Sequence, residues 1–126
     1  MRSVDTNVLV RLITRDDARQ TAAAEGFVAP GAWVSTLALA QAMWVLDAAY
    51  GRGAADIATA IDMLLNHQEL TLQDADAVQS ALASFRKRPA LGFTDCLLVE
   101  LSRKAGHLPL GTLDRSLAKI DGTQQL

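Results

Sequence analysis

RSVDTNVLVRLI, residues 2–13, puts a short extended run directly before an apolar run at helical spacing. Arg2 to Asp5 reads as a strand. Thr6 to Ile13 reads as a helix, with Val8, Leu9, Leu12 and Ile13 as its apolar positions. The alternation then repeats. Asp17 to Val28 is Ala-rich and helical, and Pro30 with Gly31 breaks it. Ala32 to Ser35 is short and β-prone, and Leu37 to Tyr50 is a long helix stopped by Gly51 and Gly53. Asp56 to Asn66 carries Ile57, Ile61, Leu64 and Leu65 at helical spacing. Leu70 to Leu72 is a strand, and Asp74 to Arg86 is a helix with Val78, Leu82 and Phe85 on one face. Past Pro89 and Gly92, Asp95 to Ala105 is a helix closed by Gly106. Leu108 to Leu113 is a strand, and Arg115 to Ile120 a short last helix. Strands alternating with helices imply an α/β fold with a small, mostly parallel central sheet.

The chain has 126 residues, a length that fits one domain spanning 1–126. With 50% hydrophobic and 21% charged residues, a packed core is expected. No apolar run reaches the roughly 18 residues of a membrane span. Arg2 and Asp5 stand where the apolar segment of a signal peptide would begin. Cys96 is the single cysteine and has no internal partner, which suits a reducing cytoplasm. The net charge of −2 argues against indiscriminate coating of nucleic acid. It leaves room for a nuclease, because a cluster of carboxylates would itself lower the count.

In parallel α/β sheets ligands bind outside the carboxyl ends of the strands. Asp5 closes the first strand in Ser-Val-Asp-Thr-Asn, and Asp114 closes the last in Gly-Thr-Leu-Asp-Arg. Asp95 opens a helix in Gly-Phe-Thr-Asp-Cys-Leu-Leu. Taken singly, each reads as a helix N-cap, since a carboxylate accepts the backbone N–H groups that a first turn leaves unpaired. Thr94 is also a competent cap, which frees Asp95 for other work. Taken together, Asp5 and Asp114 are expected to project from one edge of a parallel sheet, within reach of the Asp95 helix start. Carboxylates held close repel one another, and a divalent cation removes that cost. Mg²⁺ takes hard oxygen ligands, lowers the pKa of water, and neutralises charge on a phosphodiester under attack.

These stretches, in this order, resemble a known family. Val-Asp-Thr-Asn-Val-Leu looks like the opening of PIN-domain proteins. Gly-Phe-Thr-Asp-Cys-Leu-Leu is similar to that family's third acidic motif, and Leu-Gly-Thr-Leu-Asp-Arg-Ser-Leu-Ala to its fourth. The resemblance covers essentially the whole chain, at the length of a stand-alone VapC-type toxin. It implies a three-layer α/β/α fold with four or five strands. It also implies an acidic pocket for Mg²⁺ or Mn²⁺, hydrolysis of RNA, a cognate antitoxin that blocks the pocket, and a homodimer. Asp5, Asp95 and Asp114 match three of the acidic positions. The fourth, a Glu in the family, is matched by Gln41 in Ser35-Thr-Leu-Ala-Leu-Ala-Gln-Ala-Met-Trp-Val-Leu46.

Gln41 shares a helical face with Leu37 and Trp44 and is expected to point inward. It reads either as a member of the site or as a buried amide bonded to backbone or water. Gln keeps the shape of Glu and one oxygen but loses the charge. Asp47, six residues on, faces elsewhere and cannot replace it, and Glu100 is similarly displaced from Asp95. The substitution therefore implies weaker metal binding and slow or absent cleavage.

Smaller signals surround these positions. The resemblance suggests that Asn7 orients Asp5 by a hydrogen bond, against a local cap or turn. Thr112, two residues before Asp114, is read as facing the pocket or a water on it. Ser35 reads as an N-cap. Arg11, Arg15 and Arg115 are candidates for RNA backbone contacts. Arg86-Lys87-Arg88 reads first as a solvated helix end favoured by the helix dipole, and second as a phosphate contact. His67 and His107 are isolated, with no triad and no zinc spacing. Cys96 reads as a small buried residue. Trp33, Trp44, Phe27, Phe85 and Phe93 read as core.

Three functions compete. The first is a metal-dependent endoribonuclease toxin. The second is a binding module of the same fold, disabled by Gln41, that holds an antitoxin or RNA without cutting. The third is a signalling receiver domain, which needs an acidic pair after its first strand. Here Asp5 is followed by Thr6 and Asn7, so the third reading has only fold analogy behind it.

Overall fold

The computed structural model describes all 126 residues, which divide into two compact units, Met1–Ala75 and Asp76–Leu126. In the first, strands β1 (Arg2–Ser3), β2 (Ala32–Val34) and β3 (Leu70–Leu72) form a parallel sheet in the order β1-β2-β3. Arg2 pairs with Ala32, and Ala32 with Leu70. Backbone bonds Val4 N–H to Trp33 O (3.1 Å) and Gln73 N–H to Val34 O (2.8 Å) continue the ladder beyond the strand ends. All three strands therefore deliver their next residues to one edge: Asp5 after β1, Ser35 after β2, Gln73 after β3. Buried Ala32, Val34, Leu70 and Leu72 alternate with less buried Trp33 and Thr71, as the two-residue period of a strand requires.

Four helices accompany this sheet: α1 (Thr6–Thr14), α2 (Ala18–Val28), α3 (Thr36–Ala48) and α4 (Ala54–Leu65). Three of them start on a side-chain cap. Asp5 accepts from Val8 N–H, Asp17 from Gln20 N–H and Ser35 from Ala38 N–H. Each such cap contributes about 1 kcal/mol. Leu9, Val10 and Leu12 of α1, Leu39, Met43 and Leu46 of α3, and Ile57, Ile61 and Leu64 of α4 supply the buried apolar side chains.

A polar network ties α1, α2 and α3. Arg11 donates through Nε to Gln20, and through Nη1 to Asp16 (3.1 Å) and the Tyr50 hydroxyl (2.9 Å). Asp16 also accepts from Thr14 (2.8 Å) and Tyr50 (3.1 Å).

In the second unit, α5 (Ala75–Lys87), whose first residue closes the first unit, leads through a 3-10 turn at Pro89–Leu91 into α6 (Phe93–Ala105). Strands β4 (Leu110–Thr112) and β5 (Thr123–Gln125) then pair in parallel, with a 3-10 turn at Leu117–Lys119 between them. Phe85 and Phe93 are both buried and meet edge to face, their ring centroids 6.2 Å apart. Gly92 sits at φ +82°, ψ 148°, a region essentially reserved for glycine, and so fixes where α6 begins.

The α/β expectation with parallel strands holds. The strands form two sheets, of three and two members, in place of one, so β1 and β4 are not members of one hydrogen-bonded sheet. The last segment forms a single 3-10 turn in place of a helix, and β5 is an addition that Thr-Gln-Gln does not advertise. Trp44 is not core: it is 68% exposed.

The Asp16 network makes stability depend on acid. Bonds from Thr14 and Tyr50, with the Arg11 charge, hold the Asp16 carboxyl below its ordinary 3.8. A depressed carboxylate contributes stability above its unfolded pKa and loses it as pH falls through the folded one. Asp16→Asn is expected to lower the Tm at pH 7, and the difference from the unaltered protein should shrink toward zero in thermal melts below about pH 3.

Candidate active site

In the first unit, Asp5 lies at the carboxyl edge of the sheet and is exposed. One of its oxygens, Oδ1, caps α1 by accepting from Val8 N–H at 3.2 Å; the other makes no hydrogen bond. Capping and ligation are therefore compatible in this carboxylate. The adjacent Thr6 hydroxyl donates to Gln41 Oε1 at 2.9 Å. The amide that stands at the expected Glu position is thus held against the start of α1, one residue beyond Asp5.

Gln41 does not point inward. Leu37, Gln41 and Trp44 form an exposed stripe, Leu37 and Trp44 at 67% and 68%. The buried face of α3 is Ala38, Leu39, Ala42, Met43 and Leu46. Both faces of this helix are apolar, so hydropathy alone could not choose between them. The bond to Thr6 is the anchor that a Leu37–Gln41–Trp44 periodicity cannot reveal.

Asn7 lies in the first turn of α1, exposed, and its side chain makes no hydrogen bond; Val8 N–H takes the place proposed for it at Asp5. Arg11 is engaged by Gln20, Asp16 and Tyr50, and Arg15 by Glu25 at 2.8 Å. Both guanidinium groups are occupied within the first unit, and both act as ties between its elements.

In the second unit, α6 begins at Phe93, so Asp95 falls inside the first turn and does not open the helix. The N-cap position is Gly92, and neither Thr94 nor Asp95 supplies a capping bond. Asp95 is half-buried, and its carboxylate accepts no hydrogen bond and forms no ion pair. Asp114, two residues past β4, uses Oδ1 to accept from Ser116 N–H (2.8 Å) and Leu117 N–H (3.4 Å). Thr112 accepts from Asp114 N–H at 3.0 Å and so fixes the turn that presents this carboxylate. Oδ2 of Asp114 makes no hydrogen bond. Arg115 is exposed and has no carboxylate partner.

Burial, and then the negative charge of Asp114, push the Asp95 carboxyl above its ordinary value. The fold thus brings two acidic groups within electrostatic range and leaves one of them without any donor. Such a pair costs stability unless a cation joins it. No group of three or more His, Cys, Asp or Glu side chains is arranged to hold a metal ion. Mg²⁺ commonly uses one or two protein carboxylates, with water and phosphate oxygens completing its shell. The free oxygens of Asp95 and Asp114 fit a hard divalent cation in number and kind.

Each unit of this α/β protein thus presents a carboxylate beyond a parallel strand, and the second adds a half-buried acid in the first turn of α6. The PIN domain model matches residues 3–123, and the chain belongs to the PIN-domain family. PIN domains have a three-layer α/β/α fold, are generally nucleases acting on nucleic acid, and typically use divalent metals. Comparison with curated proteins and with solved structures gave no match. No helix is long and apolar enough to cross a membrane.

The strain at Asp95 has a measurable sign. A raised carboxyl pKa means that folding disfavours the charged form, a cost present above the folded pKa and relieved as pH falls below the unfolded 3.8. Asp95→Asn is expected to raise the metal-free Tm at pH 7 by a few degrees, and the gain should vanish near pH 3.

Proposed function

We propose that the chain is a Mg²⁺- or Mn²⁺-dependent endoribonuclease of the toxin–antitoxin kind, with Asp95 and Asp114 as ligands and an activity weakened by Gln41, which stands at the family's Glu position. The observation that carries this reading is Asp95, a half-buried carboxylate with no donor, in electrostatic range of Asp114. A structural acid would be capped or paired, as Asp17 and Asp76 are. A divalent ion bound there supplies charge neutralisation at a phosphodiester and a lowered pKa for attacking water.

The chain's own residues have separate tasks. Thr112 fixes the turn at Asp114, and the Ser116 and Leu117 N–H groups hold one carboxylate oxygen and leave the second without a hydrogen bond. Gly92 sets the start of α6 and with it the position of Asp95. Thr6 holds Gln41, whose amide oxygen faces a hydroxyl and carries no charge to add to the acidic set. Arg115, unpaired beside Asp114, suits an RNA phosphate.

A second reading rests on the exposed Leu37–Gln41–Trp44 stripe. An exposed tryptophan flanked by an exposed leucine is typical of a binding surface. The stripe supports a protein partner, either a second copy in a homodimer or an antitoxin, and it fits a catalytically impaired binding module equally well. A reducing cytoplasm suits the single buried thiol of Cys96.

Cleavage of an RNA panel in Mg²⁺ or Mn²⁺, with EDTA controls, separates the two readings. Gln41→Glu is expected to raise kcat/KM by about tenfold or more, equal to about 1.4 kcal/mol of transition-state stabilisation. If neither form cuts any RNA while a partner still binds, the binding-module reading replaces the enzymatic one.

A further inference from the structure

We infer that Arg86, Lys87 and Arg88 form a phosphate-gripping element that holds single-stranded RNA beside the Asp95 end of α6. The inference takes its substrate class from the nuclease reading.

Charge is unevenly spread along the chain. Residues 1–75 carry five Lys and Arg against nine Asp and Glu, a net of −4; residues 76–126 carry seven against five, a net of +2. Within the second unit, Lys104 pairs with Asp76 at 2.7 Å and Arg103 with Glu100 at 3.3 Å. Arg86, Lys87 and Arg88 are all exposed, and none has a carboxylate partner or a side-chain hydrogen bond. The α5 dipole accounts for cations in its last turn. It leaves all three side chains without a partner, Arg88 included, which stands directly after the helix end.

Local contacts set the placement. Arg86 follows Phe85, whose ring packs on Phe93, two residues before Asp95. Ser84, one residue earlier, contacts the thiol of Cys96, one residue after Asp95. Arg88 accepts from Leu91 N–H at 3.1 Å, and Gly92 N–H reaches Pro89 O at 3.2 Å, so the connecting turn is hydrogen-bonded throughout. The basic run is thereby joined to the first turn of α6 by a short, hydrogen-bonded turn and by the Phe85–Phe93 contact. A polyanion seated on three unpaired cations lies at the turn that leads into the helix bearing Asp95. This arrangement offsets the repulsion that Asp95 and Asp114 would exert on an approaching phosphate.

The test is fluorescence anisotropy of a short end-labelled single-stranded RNA titrated with the full chain in EDTA, over a range of salt. The variant Arg86→Ala/Lys87→Ala/Arg88→Ala is expected to weaken Kd about tenfold or more and to flatten the log Kd against log salt slope by about 2. Arg86→Lys/Arg88→Lys keeps the charge and should stay within about twofold of the unaltered protein. Circular dichroism on both variants confirms that α5 is retained. An alanine variant that binds with unchanged Kd and slope overturns the inference, as does an unaltered chain that does not bind the RNA. If that chain cuts RNA in Mg²⁺ while the alanine variant binds normally, this inference fails and the nuclease reading stands. If nothing cuts but binding depends on the basic run, the nuclease reading fails and this inference stands.

Discussion

Two like charges held near each other by covalent and hydrogen-bonded geometry are the constraint on which this protein turns. Asp114 is locked by Thr112 below it and by two backbone N–H groups above. Asp95 is placed by the Gly92 start of α6 and by the Phe85–Phe93 contact. Asp114 cannot turn away without giving up its two backbone N–H bonds. The cost of a charged Asp95, set first by its burial and then by the Asp114 charge, stays in the fold, and a cation relieves it. Functional sites commonly carry this kind of local cost, offset by the stability of the surrounding scaffold.

The contrast with the other acidic residues is informative. Asp16 is pulled the opposite way, toward the charged form, by Thr14, Tyr50 and Arg11. Asp76 is held likewise by Lys104. These groups behave as structural acids do, each with its donors. The same distinction divides the arginines. Arg11 and Arg15 are spent on contacts inside the first unit, whereas Arg86, Arg88 and Arg115 keep their guanidinium groups free. Side-chain pairing, more than net charge, separates the groups that build the fold from those left to meet another molecule.

Much of this was legible in the chain. Strong periodicity placed all six helices and four of the strands, because burial of one face imposes it. The parallel arrangement followed from the alternation of element types. The acidic trio stood out by position after strands and before apolar runs. What stayed hidden had physical reasons. α3 is apolar on both faces, so the side on which Gln41 and Trp44 lie was set by packing against α1. The start of α6 was set by a backbone conformation at Gly92, which a Thr-Asp pair at the same place masks. Arg11 and Arg15 gave no sequence sign of their partners Asp16, Tyr50 and Glu25, since ties of that kind depend on three-dimensional approach. Strand β5, with the sequence Thr-Gln-Gln, owes its existence to pairing with β4 and to no propensity of its own.

Paramagnetic broadening of backbone amide NMR signals by substoichiometric Mn²⁺ reads out whether a cation sits between Asp95 and Asp114. The amides of Asp95 and Asp114 and their immediate neighbours are expected to be lost first, and EDTA to restore them. Sharp Asp95 and Asp114 signals at saturating Mn²⁺, or broadening centred on Asp16, Asp17 or Asp76 instead, would contradict it.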